Sequence, residues 1–387
     1  MIETPVIKAD HFDKFMCTMN LCKENCCDIN WNIGVDEETY KMYENLPDDI
    51  KEKIYDSIEV VSNNPFGAVI TKDDKGKCKL INDAGLCIIH AEIGEEYLCN
   101  TCRFYPRRPV KVADEIEVYL ELSCEAAADL ILFNEEKITL EPGTITSHRK
   151  LPIRRTLAAS SYCNAADPNI VFHLLRSLSL YIIQSRQYNI HLRLLILGLL
   201  IKQAADLVKS CPSGNYSQIE HLVKTMFEKI ESGYYLDFSS KAMDTLEPNM
   251  DLVLGFFKEI EKSENVINRC SEQVSKGFNI DFHEKLPEGF HKKYNEGYIT
   301  YLSDKEYILE NYIVTAVLSD GFPFNFRYRD SIMKNYTDLL FKFNLIKFML
   351  VGIYLNNKGF DRWKTAECVS YLSRTYDHSV KGVLDME

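Results

Sequence analysis

The chain has 387 residues, 46% hydrophobic and 26% charged, an ordinary globular balance with length for two or three cores, which excludes a disordered or fibrous chain. Its formal net charge of −12 argues against general affinity for nucleic acid, whose phosphates are gathered by basic surfaces, and favours a cationic partner such as a lysine-bearing protein. Thirteen cysteines, odd in number in a long chain without an export signal, exclude a secreted disulfide scaffold and point to reduced thiols in the cytoplasm.

The opening residues, "MIETPVIKADHFDKF", lack the basic start and continuous apolar run of a secretory signal. Nine cysteines follow within the first third: Cys17, Cys22, Cys26, Cys27, Cys78, Cys87, Cys99, Cys102 and Cys124. Between the first group and the second, "DEETYKMYENLPDDIKEKIYDSIEVV" reads as short helices broken at Pro47. After Cys102 the period changes. Val110 and Val112, then Ile116, Val118, Leu120 and Leu122, alternate about the turn-like "ADE", which predicts a β-hairpin ending at Cys124.

From about residue 141, "EPGTITSHRKLP" reads as a linker, and beyond it helical periodicity dominates. The run "LRLLILGLLI" from Leu192 carries Arg193 and stops at Lys202, short of the roughly 20 apolar residues of a membrane span, so it reads as a buried helix. Ser217 and Glu220 form a capping box, followed by a stripe of Ile219, Leu222, Val223, Met226, Phe227 and Ile230 with Gly233 as terminator. A second stripe runs Tyr336, Leu339, Leu340, Phe343, Ile346, Leu350, Ile353; both are read as core. Cys163, Cys211, Cys270 and Cys368 are isolated and read as small buried hydrophobes. No internal repeat is evident.

The Cys99-x-x-Cys102 pair directs two sulfurs at one point, half of a tetrahedral thiolate site. The spacing is neither that of a zinc ribbon nor of a bacterial ferredoxin, so it indicates metal without selecting one. Adjacent Cys26 and Cys27 point in different directions on most backbones, which leaves one to ligate while the other packs or serves a second centre. Arg103, Arg107 and Arg108 beside the pair suit three roles: stabilising a thiolate-bound centre, gripping a substrate carboxylate, or standing in solvent.

The ordered set of C-x3-CC followed by Trp31, "GKCKLINDAGLCIIHAEIGEEYLCNTCRFYPRR" and "LELSCEAA" resembles the flagellin lysine-N-methylase family, within the wider set of cysteine-rich zinc- or iron-chelating proteins. The likeness covers residues 15 to 130, and "LENYIVTAVLSDGFPF", with Glu310, Asn311, Tyr312 and Pro323, looks like the family's helical C-terminal part. Glu125 stands where the family usually has proline after the cysteine. The resemblance implies S-adenosylmethionine-dependent methylation of flagellin lysines in the cytoplasm, with no nucleic-acid or membrane partner. It implies an iron–sulfur cluster, of the 4Fe–4S kind, on Cys22, Cys26, Cys27, Cys78, Cys87, Cys99, Cys102 and Cys124, with Cys17 at the margin; Arg103 and Arg107, by their position beside the C-x-x-C pair, are the candidate cofactor-binding residues.

The expected architecture is mainly α with a small β-hairpin, a cysteine-rich metal-binding domain over residues 1–145 preceding a helical domain over 146–387. The Gly-rich loop of Rossmann-like methyltransferases is absent, and "CKENCC" has adjacent thiols where a radical S-adenosylmethionine motif spaces them. A lysine amine, ordinarily protonated below pH ~10.4, must be made neutral before it accepts a methyl group. With 57 acidic residues and 22 tyrosines, no catalytic base is singled out. The alternative is a non-catalytic cysteine-rich metal-binding or redox module, zinc-stabilised in one version.

Overall fold

The computed structural model describes residues 1–22, 26–27, 33–61, 67–153, 156–157, 168–210, 216–238, 249–261, 267–324, 328 and 331–376. Trp31, Cys163 and Cys211 lie outside them. The opening residues form β1 (Ile2–Ala9). There follow β2 (Ile33–Val35), α1 (Glu37–Tyr43), α2 (Asp48–Tyr55), β3 (Ile58–Val60) and β4 (Ala68–Ile70). The break between α1 and α2 falls at Pro47, as expected, because proline ends one helix and starts the next. Asp36 caps α1 by accepting the Thr39 N–H at 3.1 Å.

Next come α3 (Asn100–Phe104), β5 (Arg107–Val112), β6 (Glu115–Leu120), α4 (Glu125–Leu132), β7 (Leu140–Ser147) and β8 (Thr156–Leu157). The predicted hairpin is β5 and β6, paired antiparallel from Arg107–Leu120 to Val112–Glu115. It is not a lone hairpin. It stands inside a five-stranded sheet of order β7-β1-β6-β5-β8, while β2-β4-β3 make a second sheet. Residues expected as a linker are β7, which pairs along the whole of β1. Its apolar content is too low to announce a strand, but an edge strand needs only a partner, and Pro142 is tolerated at that edge.

The rest is helical: α5 (Pro168–Ile183), α6 (Ile190–Ser210), α7 (Ser217–Glu231), α8 (Met250–Glu261), α9 (Ile267–Phe278), α10 (Phe290–Tyr301), α11 (Glu306–Asp320), α12 (Ile332–Asn357) and α13 (Arg362–Tyr376). Among the described residues no helix is long and apolar enough to cross a membrane. The run from Leu192 lies in α6 and is buried except for half-buried Leu195 and Gly198 and exposed Leu199, and the stripe from Tyr336 is buried in α12 except for half-buried Leu340. In α7 the stripe buries Ile219, Leu222, Met226 and Ile230 but leaves Phe227 exposed. Helix α7 starts at Ser217 itself, so the expected capping box is displaced by one residue, and Tyr216 at the cap provides no side-chain bond. Helices α9 and α12 cross so closely that a Cβ on Gly277 would stand 1.8 Å from the Gly352 carbonyl oxygen.

Two cores result. The larger joins Val6, Val110, Val118 and Leu120 of the main sheet to α4 and the helices from α5 onward. The smaller gathers Ile33, Val35, Tyr43, Ile54, Ile70, Leu80 and Leu98 together with Cys78 and Cys99. Buried ion pairs tie sheet to helices: Arg176 of α5 holds Glu117 of β6 through two bonds of 3.0 and 2.6 Å and also donates to the Tyr119 hydroxyl.

A second buried polar contact carries a pH signature. His191 Nε2 lies 2.8 Å from Lys347 Nζ, with Tyr298 and Phe343 against the imidazole. Burial, then Lys347 and Arg193, hold its pKa far below the ordinary 6.5, at about 2. The unfolded chain therefore binds a proton below pH 6.5 that the native state refuses, so this contribution is complete above that pH and is lost on acidification. Wild-type stability is expected to fall by about 1.4 kcal/mol per pH unit below pH 6 relative to His191→Gln. Urea unfolding of both proteins from pH 7 to pH 5 checks it, and parallel pH profiles would refute it.

Candidate functional site

Two successive turns build the centre of the cysteine-rich part. Asp73 Oδ1 accepts the N–H groups of Lys75 and Lys77 at 2.9 and 2.8 Å, and Asn82 Oδ1 accepts those of Ala84 and Leu86, both at 3.0 Å. Gly76 and Gly85, at φ +79° and +76°, close the turns in the left-handed region that glycine tolerates best. Each turn delivers a cysteine two residues later, in the bridges Lys72–Cys78 and Ile81–Cys87. "DDKGKCKL" and "NDAGLCII" are thus tandem copies of one unit, which corrects the expectation of no internal repeat. The unit is far shorter than the periods of solenoid repeats and shares few identical letters; the Asp/Asn-to-Gly-to-Cys spacing was the available signal.

The C-x-x-C pair is held by packing and hydrogen bonds from three directions. Asp36 Oδ2 accepts the Asn100 N–H at 2.8 Å, and Thr101 Oγ1 donates to the Gly34 carbonyl at 3.1 Å. Buried Arg149 donates to Thr39 Oγ1 and to the carbonyls of Leu98 and Glu96, the last at 3.0 Å. One guanidinium past the end of β7 therefore clamps the segment entering α3.

The nine thiols of the first third form one electrostatic neighbourhood. Cys26 hydrogen-bonds Cys27 and acts electrostatically on Cys22, Cys87, Cys102 and Cys124; Cys78 and Cys87 act on Cys27, and Cys17 acts on Cys22. None of the eleven described cysteines is in a disulfide. Four share one local geometry, each thiol accepting backbone N–H groups two or three residues ahead: Cys78 from Leu80, Cys87 from Ile89 and His90, Cys99 from Thr101 and Cys102, Cys124 from Ala126 and Ala127. Such bonds favour thiolate over thiol.

Burial opposes that preference, raising Cys78, Cys87 and Cys124, the last to about 12. The Cys102 thiol lowers Cys99, and the Cys27 thiol lowers Cys26 to about 7, with Arg374 and Lys72 adding to the effect on Cys26. The fully buried Tyr43 hydroxyl, beside Cys99, Cys102 and Cys87, has no hydrogen-bond partner among the described residues. Among those residues no three His, Cys, Asp or Glu side chains stand as a ligand set around one point.

Among the described residues, Arg374 lowers the Cys26 thiol and Lys72 lowers those of Cys26 and Cys78. Arg107 lies instead over the Phe15 ring at 5.0 Å, and half-buried Arg103 faces Arg149, Glu95 and Glu96. Cys270 and Cys368 are buried, as expected for isolated cysteines, but against one another, with their side chains hydrogen-bonded.

A cleft adjoins the thiols. It opens to solvent, with Arg108, Glu121 and Ser123 on the sheet side and Tyr312, Ser319 and Asp320 on α11. Arg108 pairs with Glu121 at 3.3 Å, and Arg374 donates to the Ser123 carbonyl at 2.6 Å. The turn Glu121–Cys124 closes with the Cys124 N–H on the Glu121 carbonyl, so one turn presents Glu121 and Ser123 to the cleft and Cys124 to the thiols. A small void shares Ala316 and Asp320 with the cleft and is completed by Asn335, Asp338 and Lys342.

Arg108 and Tyr312 stood out in the sequence, and the motifs "LELSCEAA" and "LENYIVTAVLSDGFPF" contain Glu121, Ser123, Ser319 and Asp320, but that these two stretches face each other across a cleft was not legible in either. The motif around Glu310 also finds its meaning here. Glu310 takes Arg186 and Arg193, while Asn311 Nδ2 donates to the carbonyls of Ile131 and Asn134 at the end of α4, the helix that begins after Cys124.

The model of the FliB lysine N-methylase C-terminal domain matches residues 176–387, more than half of the chain and all of the helical wall of the cleft. No curated protein and no solved structure matches. With the helical wall of the cleft and the Glu310–Asn311 motif inside the matched residues, which make up more than half of the chain, the chain belongs to the flagellin lysine N-methylase family.

Proposed function

We propose that this protein is a cytoplasmic, S-adenosylmethionine-dependent protein lysine N-methyltransferase acting on flagellin, with an iron–sulfur cluster of the 4Fe–4S kind held among Cys22, Cys26, Cys27, Cys78, Cys87, Cys99, Cys102 and Cys124. The observation that carries the reading is the Glu121–Cys124 turn, which joins a cleft walled by the family's C-terminal helices to the thiol neighbourhood. The donors suit a thiolate-bound centre: four accept N–H groups in the same local pattern, and the buried Tyr43 hydroxyl, without a partner among the described residues, feels Cys99, Cys102 and Cys87. Four thiolates complete a cubane, and three leave one iron open to a cofactor.

The chain's own part is alignment and desolvation. Leu120, Leu122 and Ala316 offer apolar surface to a lysine stem, and the cleft walls exclude water from the reacting nitrogen. In the transfer the amine lone pair takes the methyl carbon, the carbon–sulfur bond breaks onto sulfur, and one proton leaves the nitrogen. Anaerobically purified protein, incubated with S-adenosylmethionine and monomeric flagellin, is expected to add one methylene in mass per transfer, and none without the cofactor. Unchanged flagellin in the complete mixture would overturn the reading. Calorimetric titration of metal-loaded protein with S-adenosylmethionine separates it from a non-catalytic metal module, which would bind none.

A further inference from the structure

Helix α1 turns one face toward the C-x-x-C segment. Its cap residue Asp36 accepts the Asn100 N–H at 2.8 Å, and Thr39 meets Arg149, whose guanidinium also reaches the Leu98 carbonyl just before Cys99. Tyr43 stands one helical turn beyond Thr39 and so on the same face. It is 0% exposed and belongs to the smaller core together with Cys78 and Cys99, against which Cys87 and Cys102 pack.

The Tyr43 hydroxyl has no hydrogen-bond partner among the described residues. A buried hydroxyl without an acceptor costs roughly 1–3 kcal/mol, and phenylalanine would fill the same space without that cost, so the oxygen is favoured only when an acceptor reaches it. Burial, then Cys99, Cys102 and Cys87, raise its pKa, which keeps it an O–H donor. Asp36, a carboxylate it also feels, already accepts the N–H groups of Asn100 and Thr39. The acceptors that remain on this side are sulfurs.

We propose that Tyr43 is a positioning residue of the thiol centre, its O–H given to a metal-bound sulfur of the group that the Cys99–Cys102 pair helps to hold. That a metal is bound there rests on the iron–sulfur reading. A sulfur that accepts a hydrogen bond holds its negative charge more firmly, which favours the reduced form and moves sulfur-to-metal charge-transfer absorption to higher energy.

The test is Tyr43→Phe in the full chain purified without oxygen, with Tyr40→Phe as control. Tyr40 lies on the same helix, its ring edge-on to Tyr55 at 5.4 Å. Tyr43→Phe removes one oxygen and no described hydrogen bond, so it is expected to keep fold, iron and sulfide. Its reduction potential should be lower than wild type by about 28 mV or more for one electron, a threefold change in the reduction equilibrium at ~59 mV per tenfold. Tyr40→Phe should keep the wild-type value. A smaller fall, a rise, or the same fall in Tyr40→Phe would overturn the proposal. Absence of iron and sulfide from wild type would overturn the iron–sulfur reading by itself, and cobalt(II) added to the thiols then reads Tyr43. The cobalt–thiolate charge-transfer band should move to longer wavelength in Tyr43→Phe and stay in place in Tyr40→Phe. An unmoved band in Tyr43→Phe, or no such band in wild type, would overturn the proposal; the same cobalt measurement decides it should Tyr43→Phe alone lack iron.

Discussion

Alanine at Cys99 or at Cys102 is expected to leave the anaerobically purified protein without iron and sulfide, whereas alanine at Cys368 leaves both in place. The first two thiols lie at the start of α3 where Asp36, Thr101 and Arg149 fix the backbone, and they adjoin Cys27, Cys26, Cys78 and Cys87 from three other segments. Removing one therefore takes a donor from a preorganised set whose supporting groups stay as they were, which lowers metal affinity far more than it lowers stability. Cys368 is equally buried but faces Cys270 across α9 and α13, in the other core. Iron and sulfide analysis with visible absorption reads the outcome. Full metal content in Cys99→Ala and Cys102→Ala would remove the physical basis of the assigned centre, and a colourless wild type with bound zinc would reject iron.

Replacing Glu310 by Ala is expected to cost about 3–5 kcal/mol in the urea unfolding free energy, the range for leaving one member of a buried ion pair alone. Glu310 is fully buried and takes Arg193 Nη1 at 2.5 Å and Arg186 Nη2 at 2.9 Å. Arg193 is also buried and donates to the carbonyls of Ile183 and Tyr188, so it cannot turn to water when its carboxylate is removed. Glu306 at 3.4 Å from Arg193 compensates only in part. The double variant Glu310→Leu with Arg193→Leu should recover much of the loss, because two apolar side chains of similar volume need no partner. A single variant within about 0.5 kcal/mol of wild type would show that the pair contributes nothing net.

What the sequence determined by itself is local. Apolar positions at the helical period announced α6, α7 and α12, alternation about "ADE" announced β5 and β6, and Pro47 marked the break between α1 and α2. The ordered cysteine motif suggested the family from residue types and spacings, and the match that shows the family lies on the other part of the chain, residues 176–387. Each is a one-dimensional pattern: a period, a breaker or a spacing tells which face is buried within its own segment.

Tertiary structure decided whatever depends on a partner from elsewhere in the chain. Residues 141–147 have linker composition and become an edge strand only because β1 lies beside them. Arg107 and Arg108 are neighbours in the sequence, yet alternation along β5 sends one to Phe15 and the other to Glu121 in the cleft. Asp320, Asn335, Asp338 and Lys342 meet because the end of α11 lies against the first turns of α12, and the Cys124 thiol feels Cys26, far from it in the sequence, only once the chain is folded. A recognition site is a convergence of side chains across elements, and the energy that brings them together comes from the cores beneath, which no single stretch of letters contains.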